Sequence, residues 1–211
     1  MKTLVTIAVF TVLILFQNGV QAQKLRNKIV KSIVQFESSY SSIQEDRKVL
    51  LDQLASRITK GSKNDEDLTI IFVDKRNKEK SQLAAIWLRT GLQYYGLNNY
   101  NVLSAGTEPI QEPFPALASL EEYGFRVGNA SKKPSYAYTV KSGSETWPVT
   151  YTTLEALNLT DDSALRIYVE EGIAPEDGPK QIEISLFSPE RIAMELLYVS
   201  SRIKYLNEQY Q

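Results

Sequence analysis

Residues 70–87 read IIFVDKRNKEKSQLAAIW. A β-branched apolar run ends at Asp74 and gives way to Lys75, Arg76, Asn77, Lys78, Glu79 and Lys80; from Ser81 the pattern becomes that of an amphipathic helix. A strand that feeds a helix leaves the helix's first N–H groups unpaired and aimed at the connecting loop. A cationic loop at such a junction is therefore suited to hold an anion. The sequence places an anion-binding loop at Asp74, Lys75, Arg76, Asn77, Lys78, Glu79, Lys80 and Ser81. The competing reading of the same residues is a solvated charged turn.

Much other chemistry is excluded. The chain has no Cys and no His, which removes disulfides, thiol nucleophiles, Cys/His zinc sites and histidine acid–base catalysis. Ser201-Arg202-Ile203-Lys204 has the spacing of a Ser-x-x-Lys nucleophile, but it falls near the end of the last helix, where that chemistry has no cleft. The acidic groups Asp161-Asp162, Glu170-Glu171 and Glu176-Asp177 lack the alternation of a calcium loop, so no metal and no cofactor is expected. Tyr136, Tyr138, Tyr151 and Tyr168 fit strand packing, and an exposed partner surface is the lesser reading. Asn129-Ala130-Ser131 and Asn158-Leu159-Thr160 match the glycosylation pattern.

The elements that must position the loop follow from periodicity. Leu25, Ile29 and Ile33, then Ile43, Leu50, Leu54 and Ile58, recur at helical spacing around a polar break at Tyr40, which predicts two helices. The second is expected to open with a capping box over Ser42-Ile43-Gln44-Glu45 and to stop at Gly61, followed by a loop over 61–67. Leu68 to Val73 is apolar without alternation, as in a strand buried on both faces of a parallel sheet. Ser81 to Tyr95 is helical with Gly96 as its stop, Asn101 to Ser104 is extended, Pro113 to Tyr123 is helical, and Phe125 to Val127 starts a further strand. That alternation predicts an α/β sandwich with crossover helices. Tyr136–Lys141, Pro148–Thr153, Leu165–Val169 and Gln181–Phe187 read as extended, and Pro189 to Tyr205 as a closing amphipathic helix.

Residues 1–22 read as a signal peptide: Lys2, an apolar stretch from Leu4 to Phe16, then small or aliphatic residues at Val20 and Ala22. The apolar stretch is shorter than the ~20 residues a membrane-spanning helix needs, so export without a remaining span is expected, to the periplasm or the medium. Without the leader the formal charge is about −2, which speaks against nucleic acid as a partner.

The segments FVDKRNKEKSQLAAIW, SAGTE at 104–108, PALASLEEYGFRV and IAMELLYV together resemble the low-molecular-weight protein tyrosine phosphatase and thioredoxin-coupled arsenate reductase superfamily. The resemblance runs well from Leu68 to Val127, fades to Gly178 and returns in the last helix. It implies a three-layer α/β sandwich with a central parallel sheet over 68–211, preceded by a helical extension at 23–61. It also implies a loop of the form Cys-x-x-Asn-x-x-Arg-Ser around a phosphoryl or arsenate oxyanion, and a late Asp-Pro that protonates the leaving group. Here Asp74 stands at the Cys position and Lys80 at the Arg position, Asn77 and Ser81 are kept, and Ser188-Pro189 falls at the Asp-Pro. Asp74, Lys80 and Ser188 are thus degenerate catalytic positions. A thiolate is a strong nucleophile and a workable leaving group, and Lys lacks the planar fork of Arg. The resemblance, with these positions changed, implies an inactive module for an anionic ligand or a protein; the leader makes it an exported one, and a monomer is expected. A residual phosphatase or arsenate reductase and a purely structural module are the alternatives.

Overall fold

The computed structural model describes residues 25–64, 68–129, 137–159, 164–175, 181–186 and 188–209; the leader, Tyr136, Asp161-Asp162, Glu176-Asp177 and Phe187 lie outside them. Two helices open the described chain, α1 (Asn27–Ser38) and α2 (Glu45–Asn64), separated by a 3-10 turn at Tyr40–Ser42. They are followed by β1 (Leu68–Asp74), α3 (Glu79–Tyr94) and β2 (Tyr100–Gly106). A 3-10 turn (Pro115–Ala118) then runs into the single turn α4 (Ser119–Glu122). Three short strands follow, β3 (Arg126–Asn129), β4 (Tyr138–Lys141) and β5 (Thr146–Val149), and β6 (Ala164–Tyr168), β7 (Gln181–Glu183) and α5 (Pro189–Gln209) complete the order.

The central sheet has the order β2-β1-β6-β7 and every pairing in it is parallel. This is the expected α/β sandwich. Strand alternation sorts the side chains into two layers: Ile70, Phe72, Val102 and Ile167 join the core shared with the helices, while Ile71, Val73, Ala105 and Tyr168 face the other way. That second face is covered, among the described residues, by Leu154, Leu157 and Leu159 around a 3-10 turn and by Ile173 and Ala174. On the helical side Trp87 of α3 is the centre, with the rings of Phe36, Tyr123 and Phe125 edge-on at 5.7, 5.3 and 5.2 Å; emptying such a site costs about 3–5 kcal/mol. Ile29, Ile33, Leu51, Leu54 and Ile58 of α1 and α2 belong to the same core.

Several expectations are corrected. The strand begun at Phe125 does not enter the parallel sheet; β3, β4 and β5 form a separate antiparallel sheet. The reason is visible in β3 itself, whose residues are exposed or half-buried, whereas β6 reads Ala-Leu-Arg-Ile-Tyr and is nearly all buried, as a central parallel strand must be. Helix α2 does not stop at Gly61 but runs to Asn64. A Cβ at Gly61 would meet Leu68 Cδ2 at 2.9 Å, so this glycine gives the helix room against the start of β1 instead of ending it. Ser42 is not a cap for α2: it ends the 3-10 turn and its hydroxyl donates to Ser39 O at 2.7 Å. The segment 113–123 is not one helix but a 3-10 turn at Pro115–Ala118 followed by a single α turn at Ser119–Glu122. Gly96 does stop α3, with φ +72.

Candidate functional site

The loop of interest leaves β1 at its carboxyl end, between neighbours β2 and β6. The chain turns one way from β1 to β2 and the other way from β6 to β7, and in open α/β sheets such a switch point forms the crevice that takes ligands. Here the crevice is closed from within.

Asp74 is 4% exposed. Its carboxylate accepts the backbone N–H of Ser81 at 2.9 Å and, over both oxygens, the N–H of Lys78 at 3.2 and 3.3 Å. Helix α3 begins at Glu79 with no cap from its own N-cap residue Lys78, so Asp74 supplies the missing acceptor from the preceding strand. Its negative charge also lies at the positive end of the helix dipole. N–H groups of the loop and of the first turn of α3 are thus answered by a carboxylate of the protein itself.

Asn77 fixes the loop's shape. It is fully buried with φ +49, a left-handed conformation that Asn tolerates better than most side chains. Its amide donates to Thr150 O at 3.1 Å and Thr152 O at 3.2 Å, and its carbonyl oxygen accepts from the Ser81 hydroxyl at 3.2 Å. Gln82, which the sequence did not single out, donates its amide to the same Thr150 O at 2.8 Å. The SAGTE segment forms the opposing wall: Thr107 N–H donates to Asp74 O at 3.2 Å and Glu108 N–H to Lys75 O at 2.7 Å. Gly106 has to be glycine for this contact, because a Cβ there would sit 2.6 Å from Asn77 N.

The loop's cations are answered by carboxylates from other segments. Lys75 lies 3.5 Å from Glu108, and Arg76 and Lys78 share Glu112 at 3.3 and 2.8 Å. Glu170, past the end of β6, accepts the Lys75 N–H at 2.9 Å. The hydrogen bond from Lys78, with the nearby charge of Arg76, holds the half-buried Glu112 carboxyl below its ordinary value. Glu112 is further placed by the Tyr151 hydroxyl, which donates to its backbone carbonyl. Lys80 forms no ion pair among the described residues and is half-buried. Counting Asp74 and Glu79, five carboxylates surround the four cations Lys75, Arg76, Lys78 and Lys80, so the loop presents no net positive field to an approaching dianion.

Among the described residues no hydrogen bond joins Ser188 to the loop; its hydroxyl accepts the Arg191 N–H instead. It opens α5, where its carbonyl accepts the Ile192 N–H at 2.9 Å, and it lines a groove with Phe36, Tyr123, Arg191 and Met194. The segment before it is pinned by Arg47 of α2, whose guanidinium donates to Ser185 O at 2.8 Å and to the fully buried Glu195 at 2.6 Å. Arg191 grips the same carboxylate at 2.8 Å. The contacts that Glu108, Glu112, Glu170, Thr150 and Thr152 make with the loop were not foreseen from the sequence, although Glu108 lies in the SAGTE segment, Glu170 in a named acidic pair, and Thr150 and Thr152 in a segment read as extended. No group of three or more His, Cys, Asp or Glu among the described residues is arranged to hold a metal ion.

No protein-family profile matches the chain, and no curated protein sequence matches it. Solved structures do. The chain is similar to a low-molecular-weight phosphotyrosine phosphatase from Vibrio cholerae at 20% identity and TM-score 0.40, over 68% of this chain and 97% of that one. It is similar to a thioredoxin-dependent arsenate reductase from Corynebacterium glutamicum at 20% identity and TM-score 0.39, over 86% and 83%. A low-molecular-weight protein tyrosine phosphatase from Bacillus subtilis gives 17% and 0.39, over 67% and 96%. These solved structures are two phosphatases and an arsenate reductase.

Proposed function

We propose that this chain is an exported, catalytically inactive relative of the low-molecular-weight phosphatase type, acting as a monomeric binding module for a protein partner. The observation that carries this reading is the Asp74 carboxylate inside the loop, on the N–H groups of Lys78 and Ser81. A phosphatase of this kind needs a nucleophile and an open cradle at the same atoms. Asp74 removes both: it replaces the thiolate, and it occupies the donors that would stabilise the transferring group. The self-paired charges of the loop support a protein partner over a free oxyanion, because an incoming dianion would meet Asp74 on the floor and Glu108 and Glu112 at the rim. Nucleic acid is not part of the proposal.

The test is release of phosphate from p-nitrophenyl phosphate by the purified mature chain, paired with thermal melting in millimolar phosphate. No turnover and no phosphate-dependent rise in Tm are expected. Turnover that disappears in Asp74→Ala would overturn the proposal, and a phosphate-dependent rise in Tm would move it to an anion-binding module.

A further inference from the structure

A second concave site lies away from the loop, where the edge of β2 faces the edge of β5. The cavity between them measures about 440 Å³, within the range of small-ligand sites. Its lining includes Arg89, Gln93, Asn101, Glu145, Trp147 and Pro148.

The polar side chains around this cavity are held in place. Arg89 Nε and Nη2 both donate to the Val102 carbonyl, which fixes the guanidinium on the rim of β2 and leaves Nη1 uncommitted among the described residues. The Glu145 carboxylate accepts the Gln93 amide at 2.9 Å and the Trp147 indole N–H at 3.2 Å, and Gln93 in turn accepts the Ser142 hydroxyl at 3.4 Å. The Arg89 guanidinium lies over the Trp147 ring, 5.7 Å from its centre, and the half-buried indole also packs against the main core while its remaining surface lines the cavity. The site thus offers preorganised donors, preorganised acceptors and an aromatic ring, with one positive and one negative charge that balance.

The same residues make an added strand a poor occupant. Gly106 already pairs with the segment at Thr152–Leu154, so residues 102 and 104 of β2 also turn their backbone groups outward. The Val102 carbonyl, however, is taken by Arg89, and across the gap Pro148 has no N–H to give. Both features blunt an edge. What fits is a small ring that carries hydroxyls on its rim and C–H groups on its face. Vicinal hydroxyls can accept from Arg89 and donate to Glu145 together, and the C–H face can lie on the indole.

We propose that the cleft between β2 and β5 is a binding site for a neutral saccharide, with Trp147 as the stacking platform and Arg89 and Glu145 as the hydroxyl-recognising pair. Burial lowers the Arg89 pKa to about 10; the cation remains charged at neutral pH but is poorly hydrated, and hydroxyl acceptors offset that deficit.

The experiment screens the full mature chain by saturation-transfer NMR against neutral trisaccharides built on glucose, mannose, galactose and N-acetylglucosamine, with a uronic-acid trisaccharide and a short extended peptide as comparison probes. A neutral trisaccharide is expected to bind and to change the fluorescence of Trp147; the other tryptophan, Trp87, is buried at 1% exposure and should not respond. Trp147→Ala and the exposed-site variant Glu145→Ala should each weaken binding about tenfold or more, while Trp147→Phe retains most of it. Absence of binding by every neutral sugar, binding unchanged in both alanine variants, or retention of the uronic acid or peptide alone overturns the proposal. Near-ultraviolet circular dichroism of both variants separates lost binding from lost folding.

Discussion

The loop at 74–81 and the cleft at β2 and β5 are both polar, and they use polarity in opposite ways. At the loop, Asp74, Asn77, Lys75, Arg76 and Lys78 have their partners inside the protein. At the cleft, Gln93 is bonded to Glu145 and Arg89 to the Val102 carbonyl, and all three line open volume. A residue's charge therefore says little about ligand binding until its partners are counted. The region that resembles an active site in sequence is the one whose valences are spent, and the region without a motif is the one where some remain.

The largest expected disturbance to this comparison is Gly106→Ala. The new Cβ would stand 2.6 Å from Asn77 N and 3.0 Å from Arg76 C, and both are backbone atoms that cannot swing aside. We expect a loss of about 3 kcal/mol, at the upper end for overpacking, seen as a lower urea midpoint. The loop should loosen while acrylamide quenching of Trp147 stays unchanged, because the cleft lies at the other half of β2. A midpoint within error of the parent would show that the loop is free to shift, and the picture of a locked cradle would fail.

Asp74→Asn comes next. The substitution keeps the shape and one acceptor oxygen but removes the charge that caps α3, so we expect a loss of about 1–2 kcal/mol at pH 7. The floor of the cradle also ceases to repel anions, so phosphate or sulfate should now raise Tm where it does not in the parent. Unchanged stability together with unchanged anion response would mean that Asp74 is solvated and that the loop is not closed by it.

What the sequence made legible was what a single segment encodes. Leu68 to Val73 read as a doubly buried strand because all its side chains but Thr69 are apolar, and Asn77 and Ser81 read as loop-shaping residues because they sit at the spacing of the resembled motif; the strand is buried except at Thr69, and Ser81 bonds Asn77. What stayed hidden depends on segments distant in the chain. The carboxylates that neutralise Lys75, Arg76 and Lys78 come from residues 108 and 112, and the carbonyls that hold Asn77 come from 150 and 152. Gly61 misled for the same reason. Its sequence signal, a glycine after an apolar periodic run, is the one for a helix stop, and only the nearness of Leu68 shows its other use. The Arg89 and Trp147 cleft had no local pattern at all, since a helix, a strand edge and a hairpin each supply one wall.

The smallest effect, and the finest test of how the loop is closed, is the pH response of Glu112. Its carboxyl is held below the ordinary 4.5, first by the hydrogen bond from Lys78 and then by the charges of Lys78 and Arg76. An acid whose folded value is depressed binds fewer protons folded than unfolded, so its contribution to stability is complete above the unfolded value and is lost as pH falls through the folded one. Glu112 keeps 32% of its side chain in solvent, and screening keeps that contribution small. Carbon-detected NMR should therefore show Glu112 titrating below the ordinary glutamate value, and at higher pH once Lys78 is replaced by Met. Glu112→Gln should lower Tm slightly at pH 7, with the difference from the parent closing as pH drops below the folded value, and added salt should shrink it at neutral pH. An ordinary titration of Glu112, unaffected by Lys78→Met, would show that Glu112 does not close the loop over Lys78 and Arg76. The two cations would then be free for an acidic partner, and the contrast between a spent loop and an open cleft would rest on Asp74 and Asn77 alone.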